Sequence, residues 1–342
     1  MAMGLKTAFR INNPFTYAGY TEMLTQFSNA FNEQSGGCLR LTSESKRGDV
    51  DEHTFFQNIS GLVARRDPTV DTGVADKNVG MASINEVKLN RRVGPVSQAY
   101  DSFRKIGSPV NVPGDNQSSG IDELDFIVGQ QTAKGVQVEM INSGLLALVA
   151  ALSQVTALNF DNGTASAADT LVSLNLVKGL AKMGDAAANK IGLWVMHSKP
   201  YYDLIGSQIT SNLDNTTGFV LASASPVTLN RPVLVIDSPS LVVTDGVAAG
   251  VDEYRTLGLG TGALEMVDSE DMMLVTQLIT GNENLGVRIQ GEYAYNVGVL
   301  GFDWDVANGG LNPNAAALGT ATNWDQKYAD RKDLGGIVIR SA

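Results

Sequence analysis

Ile191-Gly-Leu-Trp-Val-Met-His-Ser-Lys-Pro-Tyr-Tyr-Asp-Leu-Ile205 reads as a strand, a tight turn and the start of a helix. Ile191–Met196 is a short apolar run of the length a buried strand needs. Ser198 suits an N-cap, and Pro200 falls in the first turn, where a missing N–H is harmless. A helix over Tyr201–Ile209 is therefore predicted. Around this unit lie a helix over Ala168–Lys182, after the Asp161-Asn-Gly turn, and a buried-type strand at Pro232–Ile236. From Leu257 onward the pattern becomes short strands punctuated by Gly and Asn: Ala263–Val267, Met272–Thr280, Val287–Gly291, Tyr293–Val299 and Gly336–Arg340. Helices in the middle and antiparallel strands at the end make the class α+β.

Upstream of this unit the chain looks built for reach. Tyr20, Leu24, Phe27 and Phe31 recur at helical spacing, after Asn13-Pro14 and before Gly36-Gly37. Residues 41–114 are polar and mixed in charge, and their best strand is Glu86–Val93. Val87, Leu89 and Val93 line one side of it, interrupted by Arg91, with Lys88, Asn90 and Arg92 on the other. Val70–Ser83 is the expected partner in a two-stranded ribbon, which alone is marginal in water and must lean on something. Gly107–Gly120 is a linker. After it, Ile121–Leu158 carries an apolar stripe, with Asp122, Glu123 and Asp125 at the end where the helix dipole favours anions. If unbroken by Gly129, Gly135 and Gly144, about 35 residues at 1.5 Å each span about 50 Å.

Composition narrows the function. The 342 residues hold one cysteine and two histidines, and only 18% are charged, below the usual share of about 25%. Residues 1–107 carry 13 Lys and Arg against 11 Asp and Glu; residues 108–342 carry 12 against 25. The resulting +2 and −13 contain no basic stripe for a phosphate backbone, but they suit contact between the first third of one copy and the body of another. Cys38 is alone, so an intrachain disulfide is impossible and a reducing compartment fits. The first residues have no apolar run suited to a signal peptide, and Gly144–Leu152 is too short to span a bilayer.

Candidate chemistry is sparse. His197 and Ser198, with Asp203 as orienter, have the residue types of a nucleophile site, but neighbours in sequence face each other poorly and capping accounts for both. His53 has no metal-ligating neighbour at useful spacing. Gly258-Leu-Gly260-Thr-Gly262 lacks the Gly-x-Gly-x-x-Gly spacing and the following helix of a dinucleotide loop, so turn or strand-edge glycines are expected. Trp194 is expected in the core. Phe302-Asp-Trp304-Asp-Val306 is expected to have one buried and one wet face, and Trp324, in a polar run, to be a local lid or an interface anchor. No catalytic, cofactor-binding or metal residue is assigned.

Several segments resemble the major capsid proteins of tailed bacteriophages: Trp194-Val-Met-His-Ser-Lys-Pro-Tyr-Tyr-Asp-Leu204, Leu257–Ala263, Gly301-Phe-Asp-Trp304, Asn312-Pro313 and Asn323-Trp-Asp325. Their order is similar to that of the Hong Kong 97-type capsid fold. The resemblance implies an N-terminal arm over 1–40 and an extended β-ribbon loop over 41–114. It implies a peripheral domain with a spine helix over 115–165 and 284–315, and an axial domain over 166–283 and 316–342. It further implies a non-enzymatic coat subunit that assembles with identical subunits, through pentamers and hexamers, into an icosahedral head. That head encloses double-stranded DNA without sequence-specific binding. The expected partners include a portal protein and scaffold or decoration proteins, with no membrane; the expected location is the virion, and the host cytoplasm during assembly. Some members crosslink through a Lys and an Asn; Lys77 and Lys88 lie in the ribbon, but no motif assigns either to that role. An encapsulin-type compartment shell shares the fold, and a nucleotide-binding enzyme using Gly258–Gly262 is the reading from another class.

Overall fold

The computed structural model describes residues 14–42, 50–56, 62–77, 80–99, 120–162, 169–184, 187–214, 228–248, 250–283 and 286–342. The linker expected before Gly120 lies outside them. Two sheets and one long helix organise the chain. Sheet A takes β1 (Leu39–Thr42), β2 (Val50–Phe56), β3 (Met81–Ala99), β9 (Leu264–Ile279) and β10 (Gly286–Val299), in the spatial order β1-β9-β10-β3-β2. Sheet B takes β4 (Asn159–Asp161), β5 (Ile191–Met196), β6 (Val233–Val235), β8 (Val251–Gly260) and β13 (Gly336–Ser341) in the order β4-β13-β8-β5-β6, with β7 (Val242–Ala248) also on β8. A small pair joins β11 (Phe302–Trp304) to β12 (Trp324–Gln326).

Helix α1 (Pro14–Gln34) starts with proline where its missing N–H is tolerated, and it packs on α2 (Gly120–Gln154). Tyr20 and Phe31 are buried, and Gln137 Nε2 of α2 donates to the Met23 carbonyl at 3.4 Å. One face of this helix of the expected arm is thus packed on its own chain. Helix α2 runs 35 residues, about 50 Å, without interruption at its glycines. At Gly144 the reason is close approach: a Cβ there would lie 2.6 Å from Met266 Sδ and 2.9 Å from Leu264 Cδ2, both on β9. Leu145, Leu148 and Leu152 are buried around this contact. By length and composition Val128–Gln154 would suffice to cross a membrane, but 72% of its most apolar window is buried inside the fold.

The ribbon is wider than a hairpin. β3 pairs antiparallel with β10 and, over Met81–Val87, with β2. Its partner is therefore not Val70–Ser83, most of which forms no strand. β2 carries Asp51, Glu52 and His53 in succession, and its pairing comes from the shared edge of β3 rather than from any apolar alternation of its own. The strand pieces expected after Ala263 merge into the single strands β9 and β10, interrupted by bulges instead of turns. β9 and β10, which stand on either side of the division expected at 283/284, pair antiparallel with each other. In sheet B, Trp194, Val195, Met196, Ile337, Val338 and Ile339 are all fully buried. Helices α3 (Ser173–Leu180) and α4 (Ser198–Asp214) complete this half, with the short α5 (Val306–Gly309) and α6 (Ala315–Leu318) beside β11 and β12.

Candidate assembly surface

Every residue that promised chemistry has a local structural task. Helix α4 begins at Ser198, one residue earlier than an N-cap reading of Ser198 allows; the capping position is His197. His197 Nδ1 accepts from the Lys199 N–H (3.3 Å), and Asp237 Oδ1 accepts from the Ser198 N–H (2.9 Å). Hydrogen bonds from Ser198, its side chain first and then its backbone N–H, hold the Asp237 carboxyl below the usual range. Asp203 pairs with Lys199 Nζ at 3.0 Å, so it does not orient the histidine. His53 Nε2 lies 3.2 Å from Glu86 Oε1 across the β2–β3 pair. Among the described residues no group of His, Cys, Asp and Glu is arranged to hold a metal.

Gly258 and Gly260 lie on an interior strand of sheet B, neither in a turn nor at an edge; only Gly262 occupies a turn, at φ +70. A Cβ on Gly258 would stand 2.6 Å from the Trp194 ring, so glycine here admits the indole and cradles no phosphate. Cys38 is buried, with Sγ 3.7 Å from the Leu259 carbonyl, and burial pushes its thiol up. Trp324 is fully buried, donates to the Leu318 carbonyl at 3.0 Å and meets Trp304 edge to face at 5.0 Å. It is core, neither lid nor anchor. Asp303 is not wet either: it accepts from the Asn85 N–H and pairs with Lys327 at 3.0 Å.

What the structure leaves uncovered is more informative. Every residue from 62 to 77 is exposed, and Leu62 (68%), Val63 (95%), Val70 (56%) and Val74 (92%) are large apolar side chains held in water. Arg65, Arg66, Asp67, Asp71, Asp76 and Lys77 accompany them. Isolated exposed apolars need no account, but a concentration of them marks an interaction site. Lys88 of the ribbon, by contrast, is buried and paired with Glu270 at 2.6 Å. A second uncovered stretch lies on β9 and β10, a shallow groove lined by Met273, Val275, Arg288, Gln290 and Glu292. Nearby, burial and then the charge of Asp271 push Asp268 up to about 6.

The root of the ribbon is tied to α2 at one carboxylate. Glu139 Oε1 accepts from Arg91 Nε of β3 (2.5 Å) and from Ser143 Oγ (2.8 Å). Glu139 Oε2 accepts from the phenols of Tyr293 (3.2 Å) and Tyr295 (2.7 Å) of β10. Burial, followed by the charge of Glu139, pushes both phenols far above their usual range, so they remain donors. Arg91, the one residue that spoils the apolar side of Glu86–Val93 in sequence, is thus turned to α2 for a reason the strand pattern cannot contain.

Among the described residues no metal-holding group is assembled, and the uncovered apolar side chains of 62–77 stand out as a contact surface. Residues 8–338 match the Gp13-like model, described as major capsid protein 13-like. This chain belongs to that family of major capsid proteins. No curated protein matches it. Among solved structures it is similar to the capsid of Ralstonia phage GP4, at 11% identity and a TM-score of 0.50 over 90% of this chain and 87% of that one. It is also similar to the capsid asymmetric unit of cyanophage Pam1, at 11% identity and a TM-score of 0.52 over 89% and 88%. At such identity the likeness is one of fold. A major capsid protein is a virion component that associates with its own copies, and the exposed loop and groove of this one are surfaces available for that purpose.

Proposed function

We propose that this major capsid protein is the coat subunit of an icosahedral head, gathered as pentamers and hexamers around double-stranded DNA that it does not read by sequence. In this reading it assembles in the host cytoplasm and meets a portal protein and scaffold or decoration proteins. The carrying observation is the 62–77 loop: four large apolar side chains, none covered by its own chain. A loop of this kind gains stability by lying on a neighbour, and rings of identical subunits supply one, because head-to-tail contacts pair two different surfaces. The excess of acidic residues in 108–342 (25 against 12) suits a wall that releases DNA rather than gripping it. The proposed division keeps an arm, a ribbon loop, a peripheral part around α2 and an axial part around sheet B, with β9 placed beside β10. No enzymatic role is proposed: His197 caps α4, and the Ser198 N–H is bound to Asp237.

The test is negative-stain microscopy of the purified protein, where closed shells are expected. A compact monomer at high concentration, with 62–77 protected from protease, would overturn the reading. A diagnostic change must spare β3, which lies inside sheet A. Replacing 62–77 by a short Gly-Ser linker should leave folded, soluble protein that closes no shells. Docked protein cargo in place of DNA inside the particles would move the reading to a compartment shell.

A further inference from the structure

The register of β10 slips against β3 between Ile289 and Gly291. It slips against β9 between Glu292 and Ala294 and again between Ala294 and Tyr295. Each such bulge bends its strand and tightens the local twist. Glycines admit the close approaches there: a Cβ on Gly291 would lie 2.6 Å from Leu274 Cδ2, and one on Gly94 (φ +74) 2.9 Å from the Ile289 carbonyl oxygen. On one side of this bend sheet A is five strands wide, because β1 pairs only with Leu264–Val267 and β2 only with Met81–Val87. On the other side, among the described residues, β3, β9 and β10 continue as a three-stranded arm, which carries the groove at Met273 and Val275.

The Glu139 carboxylate stands at that bend. Its partners Tyr293 and Tyr295 bracket the slips at Ala294, and Arg91 lies opposite Tyr293 on β3. One side chain of α2 therefore grips two adjacent strands where the sheet changes direction. Apolar packing is non-directional and lets a bent sheet rock, whereas hydrogen bonds and a charged pair are directional and short. We propose that Glu139 is a positioning residue: by gripping β3 and β10 at the bend it sets the angle at which the three-stranded arm leaves the body, and through it the angle between adjoining subunits. The second half of this statement rests on the shell reading above; the first does not.

Two variants of the full chain separate these parts. Glu139→Gln keeps the size of the side chain and removes the charge; Tyr293→Phe with Tyr295→Phe removes the β10 grip and keeps the Arg91 pair. In the unassembled protein, both should speed amide exchange of 272–279 and 286–292 by about tenfold and leave 336–341 unchanged, as a local opening does. Arm exchange within about twofold of the parent in both variants would overturn the grip. In assembled material the expected result is open or size-heterogeneous particles. Faster arm exchange accompanied by particles of parental diameter would overturn the control of subunit angle. If the parent protein forms no particles, the shell reading fails while the exchange experiment still decides the grip.

Discussion

Trp324 sits between Asn323 and Asp325, in the most polar company of any tryptophan here, and is fully buried. Asp325 is exposed, but Asn323 is buried with the indole: its Nδ2 donates to the Ala317 carbonyl at 2.9 Å, in the same turn that receives the indole N–H. Trp324→Ala should cost about 3–5 kcal/mol in a denaturant titration, the range for an aromatic removed from a packed site. A loss below about 1 kcal/mol would contradict its placement. Asp268 gives a pH signature of opposite sense to that of an ordinary paired carboxylate. Its folded-state value is raised from 3.8 to about 6, so between those values the folded chain holds a proton that the unfolded chain lacks. Stability from this group is present at acid pH and is lost as pH rises through about 6. Asp268→Asn should therefore stabilise by about 1–3 kcal/mol at pH 8, by about a third of that at pH 4.5 and by nearly nothing at about pH 3, when parent and variant melts are compared at each pH.

At the scale of elements, α2 is one rod because tertiary contact outweighs propensity. A glycine interior to a helix costs about 1 kcal/mol against alanine, and the two glycines whose surroundings are described differ in what they obtain for it. Gly135 is exposed, and a Cβ there would meet nothing within 4 Å; at Gly144 it would meet β9 at 2.6 Å. Gly135→Ala should stabilise by about 0.5–1 kcal/mol. Gly144→Ala should destabilise by about 1–3 kcal/mol as β9 is forced away. Equal stabilisation by both would show that α2 does not press on sheet A. β3 carries the complementary lesson. Its apolar alternation announced a half-buried strand, but its partners β2 and β10 lie far apart in the chain, and polarity alone could not have selected them over Val70–Ser83.

Across the whole molecule, the surface is divided between what one copy covers and what it leaves bare. Leu62→Ser with Val63→Ser and Val74→Ser should move the melting of the unassembled chain by no more than about 0.5 kcal/mol, since exposed substitutions touch no core. The same triple change should abolish closed particles in negative stain; normal particles would remove the loop from the assembly surface. The mixed class, the long helix and the strand at Ile191–Met196 were all legible in the linear chain. They depend on periodicity, on caps and on residue supply, which are local quantities. The partners of β3, the burial of Trp324, the interior position of Gly258 and the convergence of Arg91, Tyr293 and Tyr295 on Glu139 were decided only by the tertiary structure. Each of these joins residues tens to hundreds of positions apart, and no local pattern records which distant side chain will arrive to satisfy a charge or fill a space.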